Sequence, residues 1–199
     1  MSNIMPYLLG GISVGGQYAL IAIGYTMVYG ILRLINFAHG DIFTVAGFIM
    51  VYAASSLPLY ESIPLVILLT ILLGVLVEKI AYKPLRSAPR MSVMISAIGM
   101  SYLLQILMWY VAGGLAKQYP TLPWISNSIT VLGCTTKRVT IVTPFLVAVL
   151  VAALVLLIQK TKIGMAMRAA SRDFETAQLM GIKINNVISF TFIVGSGLA

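Results

Sequence analysis

Residues 7–32 contain no charged side chain. A helix of that length exceeds the about 20 apolar residues needed to cross the hydrocarbon core of a bilayer. Further apolar runs follow at 42–57, 61–80, 91–112, 139–158 and from 187 onward. Lipid offers no hydrogen bonds to backbone polar groups, so helices are the expected spanning structure. The expected fold is an all-α, polytopic transmembrane helix bundle of about six spans, built as a single domain over residues 1–199. Its sixth run is cut off at Ala199 with no stop signal, which reads as the N-terminal part of a longer protein. Only 9% of the residues are charged, against about a quarter in a soluble domain, too few to cover a water-facing surface.

The net charge of +8 comes from Lys and Arg clustered in short connections. No basic stripe interleaved with aromatics and no groove-reading motif accompanies them, so nucleic acid is not an expected partner. Cytoplasmic connections of membrane proteins are enriched in Lys and Arg. That places residues 79–90 and 159–186 inside and the longer, less basic stretch 113–138 outside, with Pro120, Pro123 and Gly133 opposing a continuous helix there. Counting back puts Glu61 outside, Arg33 inside and the N-terminus outside; a re-entrant element at His39 would upset that count. Within 7–32, Gly11, Gly15 and Ala19 form a row of small residues, the pattern that lets helices pack closely in lipid. This predicts a first helix inside the bundle. Cys134 is the only cysteine, which excludes an intrachain disulfide and a cysteine-based metal cluster.

Between the first two apolar runs lies Asn36-Phe37-Ala38-His39-Gly40-Asp41, with almost no room for an aqueous loop. It reads as a tight turn or a break at the membrane boundary. Asp41 is placed to cap the next helix, where a carboxylate accepts orphan backbone N–H groups. His39 and Asp41 admit two readings: a proton relay or metal site at membrane depth, or interfacial residues that satisfy the broken backbone. The absence of a second His, of a HExxH pattern and of paired carboxylates gives no metal site. Arg33 reads as an interfacial anchor.

Residues 164–182 favour a helix by their alanines and long straight-chain residues, with Gly181 where a left-handed cap belongs. One face carries Ala166, Ala169, Ala170, Ala177 and Met180, another Arg168, Arg172 and Glu175. Such a helix can dock in a groove on a soluble partner, or lie on the lipid surface.

The run 18–30, the stretch 36–41, the run 95–100 and the segment 164–182 together resemble LivH-type permeases of branched-chain amino-acid ABC transporters. The similarity covers most of the chain in order, and Asn-Phe-Ala-His-Gly is its hallmark. The resemblance implies a multi-pass plasma-membrane permease, in the inner membrane if the cell is Gram-negative, that carries Leu, Ile and Val. Urea or short amides are the substrates of related permeases. The implied partners are a second, LivM-type permease, cytoplasmic ATPase subunits, an external substrate-binding protein and the surrounding lipid. The segment 164–182 is then the coupling helix, with Gly164, Arg168, Ala169, Asp173, Ala177 and Gly181 at its core and the alanine side facing the ATPase. Asn36, Phe37, His39, Gly40 and Asp41 are family hallmarks whose role the resemblance does not assign.

No Gly-x-x-x-x-Gly-Lys-Ser/Thr loop occurs, so ATP use falls to partner subunits and no cofactor is expected on this chain. A secondary transporter would place coupling carboxylates at mid-membrane, where the apolar runs hold none. A membrane-embedded enzyme, the competing class, would have to work with Ser13, Gln17 and Gln105, groups that more often bond across helices. The chain is therefore not expected to be an enzyme.

Overall fold

The structure is a computed structural model that describes residues 4–86, 88–114, 117–119, 127–131 and 134–199. The helices are α1 (Met5–Leu32), α2 (His39–Ser56), α3 (Leu59–Val77), α4 (Arg90–Ala112), α5 (Arg138–Lys160), α6 (Lys162–Arg172), α7 (Phe174–Leu179) and α8 (Ile184–Leu198). Among the described residues five helices, α1 to α5, are long and apolar enough to cross a membrane, and α8 is a shorter apolar helix. The helix-bundle expectation holds, with about six spans. A small antiparallel hairpin, β1 (Ser128–Val131) with β2 (Cys134–Lys137), interrupts the outer connection, Ser128 pairing Lys137. Pro120, Pro123 and Gly133, on which the expectation for that connection rested, lie outside the described residues.

Two helix boundaries differ from the sequence reading. α2 begins at His39, inside the polar stretch, and α3 begins at Leu59 after the extended Pro58. The α3 helix also runs past Val77 through a π-turn, Glu78–Tyr82, and a 3-10 turn, Lys83–Leu85. A π-turn widens the helix by one residue per turn and often marks a functional position.

α8 is wedged between α1 and α3, and α2 packs against both α3 and α4. The contact between α3 and α8 is so close that a Cβ on Gly74 would fall 2.4 Å from the Ser196 side chain. Small residues at a crossing let backbones approach where lipid supplies no hydrophobic drive. The core sits at the Arg86 end of the bundle and includes Val28, Val77, Tyr82, Ala97, Ile188 and Phe192. The rings of Tyr82 and Phe192 lie 5.1 Å apart.

The first helix is only partly enclosed. α1 meets α5 and α8, but a Cβ on Gly11 or Gly15 would touch nothing within 4 Å, and both glycines and Ala19 are exposed. The small-residue row is therefore not a contact among the described residues. The buried residues of α1 are Ser13, Gly24, Val28 and Ile31.

Arg33, Arg86, Arg90, Arg172 and Lys183 gather round one cavity, of about 890 Å³. At the opposite end Lys117 sits over the Tyr52 ring, 5.3 Å from its centroid. The two basic connections thus share one end of the bundle and the 113–138 connection takes the other, as the charge asymmetry requires.

Candidate functional site

The polar stretch after α1 turns back into the bundle. Arg33 ends α1 in the left-handed conformation, φ 52°, its N–H donating to the Tyr29 carbonyl. Its guanidinium donates to the Ser171 carbonyl at 3.4 Å, tying α1 to the basic end. Asn36 is buried and its Oδ1 accepts from the Tyr82 hydroxyl at 3.0 Å, while the same hydroxyl lies 3.4 Å from the Ile35 carbonyl. Phe37 and Gly40 are exposed, and Ala38 is wholly enclosed. His39 is 2% exposed. Its imidazole lies against α1 at Gly24, where a Cβ would come within 3.0 Å of Nε2.

Helix geometry gives the depth of this turn. Gly24 lies two turns before the end of α1, roughly 12 Å from Leu32 at 1.5 Å per residue. Asp41 accepts hydrogen bonds from the Ser101 hydroxyl and from the Gln105 amide, the latter at 3.0 Å. Ser101 stands about halfway along α4, roughly 16 Å from its start. The first turn of α2 therefore begins well inside the bundle, and α2 runs outward beside the second half of α4. The stretch is re-entrant, yet the crossing count survives, because α2 continues outward and does not loop back.

His39 packs against α1 and Asp41 against α4. The imidazole is buried, and among the described residues the Asp41 carboxylate accepts its hydrogen bonds from Ser101 and Gln105 and not from the backbone of α2. Its carboxylate reaches across to α4 instead. A carboxylate therefore lies beside the middle of α4. Gln105 bonds across helices to Asp41, as expected, and within α4 to Ser101 at 3.1 Å.

Glu78 is a buried polar group that sequence reasoning missed. It is 1% exposed, paired with Arg86, and accepts from the Ser189 hydroxyl at 3.2 Å. Arg86 also donates to Asn185, so the π-turn of α3 is fastened to the start of α8. A lone acidic residue among Lys79, Lys83 and Arg86 was the available signal.

The connection between α5 and α8 is two helices and not one. Asp173 is extended (φ −148°, ψ 114°), ends α6 and caps α7, its carboxylate accepting from the N–H groups of Glu175 and Thr176 at 3.0 and 3.2 Å. The Thr176 hydroxyl and N–H hold the Asp173 carboxyl below the usual carboxylate range. Gly164 is needed for space, since a Cβ there would lie 2.3 Å from the Ile158 carbonyl oxygen. Arg168 donates to that same carbonyl, a cation at the C-terminal end of α5, where the helix dipole favours it. Gly181 has φ +84° and turns the chain toward α8.

The alanine side faces inward. Ala170 and Ala177 are 3% and 4% exposed and belong to the core with Met167, Ile184 and Val187; Ala166 and Ala169 pack against it. The most exposed apolar side chains are Met165, Leu179 and Met180, the last two 87% and 79% exposed, with Ile163 and Phe174 less so. A groove on a partner would meet those residues, because the alanine side is occupied by this chain's own core. Met180, grouped with the alanines by sequence, is on the outer side.

Among the described residues no cluster of three or more His, Cys, Asp or Glu is placed to hold a metal ion. The comparisons with known proteins agree with the membrane architecture. Residues 7–199 match the family described as "Branched-chain amino acid transport system / permease component". The chain belongs to this family. It is 36% identical to the high-affinity branched-chain amino acid transport system permease protein BraD of Pseudomonas aeruginosa, over 99% of this chain and 68% of that protein. It is 34% identical to LivH of Escherichia coli K12 and 33% to LivH of Salmonella typhimurium, each over 98% of this chain and 68% of the relative. No solved structure matches it. The chain is thus a transport permease that passes several times through the plasma membrane, with its polar break folded back between α1, α3 and α4.

Proposed function

We propose that this permease moves leucine, isoleucine and valine inward as a subunit of an ATP-driven importer. The observation that carries the reading is the similarity, over nearly the whole chain, to relatives whose names state branched-chain amino acid transport. ATP is bound and hydrolysed by partner subunits, consistent with a sequence that lacks a phosphate-binding loop. The permease itself holds no cofactor and is a conduit, not an enzyme. A second permease of LivM type completes the membrane unit, and an external binding protein delivers the amino acid.

The ATPase docks on the basic end, against α6 and α7. Gly164, Arg168, Ala169, Asp173, Ala177 and Gly181 set the shape of that element. Met165, Leu179 and Met180 supply the apolar contacts on its open side. Uptake of labelled leucine and labelled urea, in cells lacking the gene and in cells regaining it at full length, tests the reading. Leucine uptake is expected to return; return of urea uptake alone would overturn the substrate.

A further inference from the structure

A cavity of about 360 Å³ opens between α2 and α4. That volume falls within the roughly 300–1,000 Å³ of small-molecule pockets. Its walls include Phe48, Leu104, Met108 and Trp109, with Asp41 and Gln105 as polar groups. The cavity lies along the outer half of α4, away from the basic end.

The carboxylate in it lacks a counter-charge. Each oxygen of Asp41 accepts one hydrogen bond, from the neutral Ser101 hydroxyl and from the neutral Gln105 amide. Among the described residues the salt bridge joins Arg86 to Glu78, and no cation pairs with Asp41. A carboxylate has about four acceptor directions, so acceptor capacity remains on a group that lines the cavity. A charge at membrane depth is costly, and it is retained where a partner or passing ligand completes it.

We propose that this cavity is the permease's own subsite for a small ligand bearing an ammonium group and an aliphatic side chain. Asp41 receives the ammonium, Ser101 and Gln105 hold the carboxylate in its orientation, and Phe48, Leu104 and Met108 enclose the aliphatic chain. The indole N–H of Trp109 on the same wall is a donor for the ligand's carboxylate. The inference rests on the amino-acid reading above and assigns that ligand a place.

The test uses the full-length permease reconstituted with its partner subunits, carrying Thr44→Cys, a position on the cavity wall with no part in holding the ligand, in a Cys134→Ala background. Leucine should slow modification of the introduced thiol, whereas 4-methylpentanoate, which is leucine without its ammonium group, should not. Asp41→Asn should raise the half-protecting leucine concentration at least tenfold, and Phe48→Trp, which fills the cavity without touching the carboxylate, should abolish protection. Equal protection by 4-methylpentanoate, or protection of Asp41→Asn at the original concentration, overturns the subsite. If Asp41→Asn does not accumulate, undiminished protection in Phe48→Trp does the same. Normal leucine uptake without any protection sinks the subsite alone; urea uptake without leucine uptake sinks the functional reading beneath it.

Discussion

The break at residues 33–38 and the connection at residues 161–183 are both polar interruptions of apolar sequence, yet one is drawn into the bundle and the other lies across its end. Asn36 and His39 are buried, whereas Arg172, Asp173, Glu175 and Lys183 are exposed. Length accounts for the difference. Six residues cannot leave the membrane and return without exposing orphan helix ends to lipid, so Asn36 is satisfied from inside by Tyr82 and Asp41, in the first turn of α2, by α4, while the buried His39 Nε2 has no partner among the described residues. The longer connection has room to fold in water and forms its own caps, at Thr161 and Asp173. Its hydrophobic side is left to pack upward against the core.

The comparison is broken most severely at Glu78, which holds the floor between the two regions. Glu78→Ala leaves the Arg86 guanidinium without its buried counter-charge, a loss of about 3–5 kcal/mol for a broken buried pair. The expected outcome is a large fall in the fraction of permease that stays monodisperse in detergent after heating. Retention of full stability would mean that the pair is solvated and the π-turn is not fastened to α8.

A smaller effect is expected at Ala177, and it separates packing from docking. Ala177→Trp overfills a core position, at a cost of about 1–3 kcal/mol. It should lower thermal stability even without any ATPase present. Leu179→Ser, on the open side, should leave stability unchanged and reduce co-purification of the ATPase. If Ala177→Trp is fully stable and loses only ATPase recovery, the alanine side is the docking face after all.

Much of this was legible in residue order. The apolar runs gave the spans, the basic residues gave the shared end, and Gly181 gave the left-handed turn. The inward side of α6 and α7 was not legible, because an alanine-rich face suits a neighbour's groove and the chain's own core equally. Nor was the Glu78 pair, since its partners Arg86, Asn185 and Ser189 are brought together only when α8 returns to α3. Asp41 read as a cap because its position in the first turn of α2 is right for one; the hydroxyl and amide of α4 compete for it, and no sequence period reveals that α2 starts halfway along α4. The glycine row of α1 was read as a packing face, but the described residues leave it uncovered.

The claim that the break re-enters the bundle while the connection stays outside is tested most directly by thiol accessibility from the cytoplasmic side. In inverted membrane vesicles of full-length permease with Cys134→Ala, single substitutions Ala38→Cys and Arg172→Cys are exposed to an impermeant thiol reagent. Ala38 is 0% exposed and Arg172 faces solvent. The account predicts rapid modification of Arg172→Cys and little or none of Ala38→Cys until the protein is denatured. Equal rates at the two positions would place the break at the membrane surface and contradict it.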